Sequence, residues 1–456
     1  MNSRVFSVLL RVSGVLFFVL LGMATGPVAA QVRVGAAASD LVSDPNMIIG
    51  GGILGGTVPD QEGKLRVVAV VLEKPGGPKA AIVAADVLFV TQDFVDPALE
   101  EIGKTCGIPA ANILVNATHT HHAPTTATVH GYKRDEIFCQ RVREGIVKAV
   151  TAANAKLSAA PCDFKFCLGE ESSYGQNSRI LLNDGFIFWT GPNQTYVRPT
   201  GPFDPELPVL AFVNDQKKYE AVIFDHSTHT IGTRKVNVKS PSAYGLTAQE
   251  LEQELGGTFL FLEGASGSTH NLVLKCDEAI IRLKAAVKFA LERLETHPVD
   301  RLVSVKKPFK FKVRHFDEAV EDKKCVDYTK KYHGAHADST IEVFRKQRAV
   351  LAPQQGQERT TTLQVLLIGD VAIVGVPAEY FTVLGQEIKR RSPYRYTYIA
   401  ELANDWIGYL PDLRGHALGG YQTWTGLHSY AENGTGERVV EATVEMLKEL
   451  HAAEKK

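Results

Sequence analysis

Thr118-His119-Thr120-His121-His122-Ala123-Pro124 directly follows the short apolar strand Ile113-Leu114-Val115. A strand that opens into closely spaced imidazoles is a usual place for metal chemistry in an α/β protein. A surface loop would also tolerate such a cluster, so the stretch gains weight only if other parts of the chain converge on it. A second strand, Tyr219 to Phe224, ends the same way in Asp225-His226-Ser227-Thr228-His229. Two such strand ends in one core could meet, and ligands drawn from separate strands give a rigid metal site.

The surroundings read as alternating strands and helices. Leu65 to Glu73 and the almost wholly apolar Ala80 to Val90 are expected strands around the turn Lys74-Pro75-Gly76-Gly77-Pro78. Asp86 lies inside that second run, where a carboxylate must be paired, bonded or at a functional edge. A helix is expected to open at Asp96-Pro97, and another to run from Asp135 to about Leu157 with Ile137, Val142, Ile146 and Val150 inward. Cys162 to Leu168 reads as a strand, and Val209 to Val213 pairs with Tyr219 to Phe224 around Asn214-Asp215. Thr247 to Leu255 is a short helix, Thr258 to Leu262 a buried strand and Cys276 to Thr296 a long amphipathic helix. Phe309 to Val313 is a strand, and the charged stretch Asp317 to Arg348 carries His333 and His336 as surface residues. Thr361 to Ile368 and Val371 to Val376 form a hairpin around Gly369-Asp370, Tyr380 to Lys389 is a helix, Tyr396 to Glu401 a strand and Glu437 to Leu450 the closing helix. This order points to layered mixed β-sheets flanked by helices, an α/β fold, with an internal boundary expected near 297–305.

The chain has 456 residues, enough for one large domain or two ordinary ones, and its formal net charge of -1 gives no reason to expect nucleic acid. Arg4 and Arg11, the apolar run Val12 to Leu21 and the small residues Pro27-Val28-Ala29-Ala30 read as an export signal over residues 1–30. The expected location is therefore periplasmic or extracellular, with a retained N-terminal membrane anchor as the alternative. Of the six cysteines, Cys162 and Cys167 are the expected local pair, with free buried thiols as the alternative. Gly50-Gly51-Gly52-Ile53-Leu54-Gly55-Gly56 lacks the spacing of a dinucleotide or phosphate loop. It reads as backbone passing close to a site, or as a surface loop.

Residues that can carry chemistry collect after the strands. Thr258 to Leu262 empties into Glu263-Gly264-Ala265-Ser266-Gly267-Ser268-Thr269-His270-Asn271, and Val371 to Val376 ends at Pro377-Ala378-Glu379. Tyr174 to Arg179 is a polar loop. After Tyr396 to Glu401 comes Asn404-Asp405-Trp406-Ile407-Gly408-Tyr409-Leu410-Pro411, leading through His416 to Gly419-Gly420-Tyr421. The expected constellation is one zinc ion at a site fed by His119, His121, His226 and Glu379, with an oxygen from the late loop; Asp86 or Asp225 could orient a ligand histidine. There is no HExxH helix and no G-x-S-x-G elbow.

In the order of these motifs the chain resembles the neutral/alkaline non-lysosomal ceramidase family from Val32 onward, most closely at Thr118-His119-Thr120-His121 and Pro377-Ala378-Glu379. The resemblance implies a ceramidase-like catalytic domain without the C-terminal immunoglobulin-like domain of the longer members. It implies an exported zinc amidase acting on a small-molecule or lipid substrate, with peripheral membrane contact. His119, His226 and Glu379 would be zinc ligands, with Tyr421 as the metal-binding tyrosine and Tyr409 as the competing choice, otherwise beside the substrate. His121 would face the substrate carbonyl or nucleophile, and Asn177 and Arg179 would hold the headgroup and oxyanion. The family's Gly-Asp-x-Ser-Pro region stands here as Gly267-Ser268-Thr269-His270-Asn271, so His270 falls at the serine position, with Ser266 and Ser268 as nearby hydroxyls. The implied function is hydrolysis of an amide or ester through metal-activated water or a hydroxyl. The alternative is a binding or structural protein that keeps the fold and the metal.

Overall fold

A computed structural model describes residues 32–453. The expected export signal lies outside the described residues. Among those described, no helix is long and apolar enough to cross a membrane.

Three sheets dominate, each built on a four-strand unit of one topology, with the short Glu295–Thr296 added as a fifth strand at the edge of the second. In the first sheet Arg33–Asp40 pairs antiparallel with Arg66–Glu73, which pairs antiparallel with Lys79–Ala85, which pairs parallel with Ile113–Ala117. The second repeats this with Asp163–Glu170, Glu206–Val213, Tyr219–His226 and Thr258–Glu263. The third does so with Leu302–Lys312, Glu358–Ile368, Val371–Val376 and Tyr396–Glu401. In each unit a helix crosses between the two parallel strands, as a parallel connection requires: Gln92–Cys106, Ser242–Leu255 and Thr382–Arg391. A second helix follows the fourth strand in each: Glu136–Ala155, Cys276–Leu291 and Thr435–Ala453.

Period-two alternation explains the layering. From Arg66–Glu73, Val67, Ala69 and Val71 face the helices of their own unit, while Val68, Val70 and Leu72 face inward. The inward residues meet Leu210, Phe212 and Ile223 of the second sheet and Leu366, Ile373 and Tyr398 of the third in one central core. The outer faces of the second and third sheets are covered by their own helices in the same way.

One polar side chain crosses this apolar centre. Asn116, fully buried in Ile113–Ala117, accepts from the Glu263 backbone N–H at 3.1 Å and donates to the Glu401 backbone carbonyl. It therefore joins the last strands of all three sheets. Asn404, buried at φ 64°, adds a second tie. Its amide accepts from Val115 N–H at 3.2 Å and donates to Gln364 at 2.8 Å.

Several sequence expectations shift. The first helix begins at Gln92, so Pro97 lies inside it rather than at its start. Ile137 is exposed, because the helix that Asp135 caps turns Phe138, Val142, Ile146 and Val150 inward instead. Phe309 to Val313 is only the end of an eleven-residue strand, and Asp317 to Arg348 folds as two helices, Glu318–Tyr332 and Ala337–Leu351. All six cysteines are free. Cys162 and Cys167 are five positions apart on nearly continuous strand, which sets them on opposite faces, too far for a disulfide.

Replacing Asn116 with leucine would strand two buried backbone groups, at roughly 1–3 kcal/mol each. Urea denaturation of Asn116→Leu is expected to show a loss of about 2–5 kcal/mol, with far-UV dichroism of the surviving fold unchanged.

Candidate metal centre

Each parallel strand pair sends its two carboxyl ends to the same edge of the molecule. Two residues past Ile113–Ala117 stands His119, and two further His121. Three past Tyr219–His226 stands His229, and three past Val371–Val376 stands Glu379. Ligand nitrogens of His119, His121 and His229 all lie within 4.8 Å of one another. The Nε2 atoms of His119 and His229 are each 3.5 Å from the same Glu379 oxygen, and those of His119 and His121 are 3.3 Å apart. His119, His229 and Glu379 are buried, and His121 is half-buried, so the cluster faces outward at His121. His119 has φ 60°, a conformation non-glycine residues adopt at a cost, and such strain gathers at functional sites.

In each pair the loop after one strand fixes the ligand that follows the other. His119 Nδ1 meets the Leu88 carbonyl at 3.0 Å, three residues past Lys79–Ala85. His229 Nδ1 meets the Ser266 carbonyl at 2.8 Å, three past Thr258–Glu263. Glu379 accepts from the Trp406 indole at 3.1 Å, five past Tyr396–Glu401. A carbonyl can only accept, so both Nδ1 atoms carry hydrogen and both Nε2 atoms turn to the centre. Burial, with His119 alongside, lowers the basicity of His229. Burial alone would raise the Glu379 carboxyl, but the His119 and His229 imidazoles outweigh it and hold that carboxyl well below the usual range. Two imidazole nitrogens thus converge on one carboxylate oxygen, an arrangement that a cation satisfies. Nitrogen with carboxylate oxygen is a donor set that suits zinc, so His119, His121 and His229 could chelate a metal ion beside Glu379.

The other expected site residues take different places. The expected ligand His226 is corrected: it is the last residue of its strand, and both ring nitrogens are engaged, Nδ1 with the Tyr244 hydroxyl at 2.6 Å and Nε2 with the Glu171 carbonyl at 2.9 Å. Three residues on, the chain has cleared the sheet edge, and His229 stands where His226 was expected. Of the two expected tyrosines, the Tyr421 hydroxyl bonds His130 Nε2 at 2.8 Å and the Tyr409 hydroxyl lies 3.1 Å from His229 Nε2. Arg179, expected at an oxyanion, is buried, with its guanidinium bonding Gln422 at 2.7 Å, the Gly415 carbonyl at 3.1 Å and the Gly419 carbonyl at 2.5 Å. It holds the segment that leads to Tyr421. Asn177 braces it from behind, accepting from Arg179 N–H and donating to the Pro202 carbonyl. Asp86 bonds Arg66 N–H and the Thr118 hydroxyl, not a histidine.

The hydroxyls of the small-residue loop are spent on protein partners. Ser266 Oγ donates to Glu401 at 2.7 Å, and Ser268 Oγ bonds Thr382 at 3.1 Å. His270 differs: its ring lies tilted by 39° against that of His229 with centroids 4.1 Å apart, and its Nε2 is buried without a partner. Burial and the neighbouring imidazoles push both His121 and His270 well down, so both rest neutral. Gly51 shows why the glycine-rich stretch is there: at φ 99°, a Cβ on it would stand 2.6 Å from the His121 side chain.

Fold and site together define a mixed α/β protein whose strand ends gather a histidine cluster able to hold a metal, and the fold is the ceramidase one. The crystal structure of neutral ceramidase from Pseudomonas aeruginosa superposes with a TM-score of 0.71 at 16% identity, over 93% of this chain and 75% of that one. A ceramidase complexed with C2 superposes with a TM-score of 0.71 at 15% identity, over 93% of this chain and 76% of that one. No protein-family model matches the chain, nor does any curated protein.

Two measurements check this geometry. His229→Ala is expected to abolish tight zinc uptake in a chelator competition, while His226→Ala keeps it at some cost in stability. Asp86, buried, has its carboxyl pushed up to about 7. The folded protein then holds a proton that the unfolded chain releases near pH 4, so stability falls as pH rises from about 4 to 7. Relative to Asp86→Asn, the parent should lose up to about 1.4 kcal/mol per pH unit across that window in urea titrations.

Proposed function

We propose that this chain is a zinc-dependent hydrolase of an amide bond, with N-acyl lipids of the sphingoid type as the leading substrate class and esters as the second. The observation that carries the reading is the meeting of His119, His121, His229 and Glu379 at three separate strand ends. That two ceramidases share the fold supports the choice of an amide. Zinc bound there would polarise a carbonyl and bring the pKa of water near neutral.

The chain's own residues supply the rest. With His119, His229 and Glu379 as the metal ligands, His121, neutral and at the opening, is left to take a proton from an attacking water. The imidazolium this makes of His121 can return the proton to the departing amine, and the free Nε2 of His270, on the far side of His229, can accept a hydrogen bond from that amine. The Tyr409 hydroxyl can donate to negative charge developing on the carbonyl oxygen. Because Ser266 and Ser268 already bond Glu401 and Thr382, water is a simpler nucleophile than either hydroxyl. The loops after His229 and His270 expose Val236 and Val273, apolar tips that a lipid surface would cover. Export, read from residues 1–30, accords with such a substrate.

Purified protein should contain close to one zinc per chain and cleave N-acyl amides in a panel of short and long acyl groups. Glu379→Gln should lose both metal and activity. His121→Gln should keep its zinc and lose about 10²–10⁴-fold in kcat. A zinc-loaded parent that cleaves nothing in the amide and ester panels would leave the binding or structural reading.

A further inference from the structure

Glu401 is the last residue of the third sheet's fourth strand and is fully buried. One of its oxygens accepts from the Ser266 backbone N–H at 2.9 Å and the Tyr380 backbone N–H at 2.7 Å. Its other oxygen accepts from the Ser266 hydroxyl at 2.7 Å. Ser266 is the residue whose carbonyl takes the His229 Nδ1 hydrogen, and Tyr380 is the neighbour of Glu379. A single carboxylate therefore ties the support of one candidate ligand to the backbone of another, across two sheets. The same residue's backbone carbonyl is held by Asn116, whose own strand leads to His119. Nothing in ordinary core packing asks for an acid here, since burying one is unfavourable without such bonds.

We propose that Glu401 is a positioning residue for the metal centre: it sets the His229 imidazole and the Glu379 carboxylate at their mutual spacing by bonding Ser266 and Tyr380 together. The inference rests on the metal-site reading above. What it requires of Glu401 is reach and acceptor geometry, not charge. A glutamine can reproduce the bonds, its oxygen accepting from both backbone N–H groups and its amide donating to Ser266 Oγ. An aspartate keeps the charge, but, being one methylene shorter, cannot span to both partners.

The test compares the parent, Glu401→Gln and Glu401→Asp, with zinc as the probe. Zinc affinity is read by chelator competition, and the melting temperature of the metal-free proteins is read beside it. Glu401→Gln is expected to bind zinc within about threefold of the parent, and Glu401→Asp 10–100-fold more weakly, roughly the loss typical when a group supporting a metal ligand is removed. If Glu401→Asp binds like the parent while Glu401→Gln does not, charge is what matters and the proposal fails. It fails also if Glu401→Asp only lowers the melting temperature and leaves the affinity of the folded protein unchanged. Should Glu401→Asp not fold, Glu401→Gln decides: loss of zinc affinity in that folded variant overturns the proposal, and retention supports it. A folded parent that takes up no zinc overturns the metal-site reading itself, an outcome distinct from either variant result.

Discussion

One buried amide, Asn116, bonds the last parallel strands of all three sheets to one another. Each sheet could pack its apolar inner face on the others in many slightly shifted ways, because hydrophobic contact is non-directional. Asn116 removes that freedom: its two hydrogen bonds, to Glu263 and Glu401, are satisfied only when the last strands of all three units end at the same level. An unpaired amide in this core is costly, so the alternatives are disfavoured by the very burial that makes the core stable. The level it sets is the level from which His119, His229 and Glu379 depart.

From that plane the site follows by a repeated rule. Every unit offers two adjacent parallel strands running the same way, and their carboxyl ends serve as a pair, one carrying a ligand and the other the group that orients it. In the second and third units the third strand carries the ligand, and the loop after the fourth supports it. In the first unit the roles are exchanged, with His119 after the fourth strand and Leu88 after the third. Adjacent parallel ends lie about 4.8 Å apart, which is close enough for a carbonyl or indole to reach the side chain of its neighbour's loop. Rigid geometry thus comes from sheet spacing, not from any local motif.

Much of this was legible in the sequence. Apolar runs of β-branched residues located the strands, and the imidazoles after two of them marked the edge where chemistry collects. What the sequence hid was the threefold repeat, because the units differ most between their first and second strands, where the third inserts two whole helices, Glu318–Tyr332 and Ala337–Leu351. It also hid which of His226 and His229 clears the sheet: both follow an apolar run, and only the observed end of the strand at His226 decides. The pairing of Glu379 with Tyr409 was hidden too, because it links residues far apart in the chain. Leu88 and Ser266 act through backbone carbonyls, which leave no mark in residue type.

The loop after the second sheet shows how fold and chemistry separate. Its backbone does what the architecture demands, presenting the Ser266 carbonyl to His229 and the Ser266 N–H to Glu401. Its hydroxyls are consumed in holding that shape, and its one side chain left facing the cluster without a bond is an imidazole, His270. A hydroxyl at that position could attack or donate, whereas a neutral imidazole can also accept and return a proton without forming a covalent intermediate. Two neutral imidazoles, His121 and His270, thus flank a cluster whose members are held by two backbone carbonyls and one indole. On this scaffold a single side-chain identity changes the available mechanism while leaving the metal geometry as the strands set it.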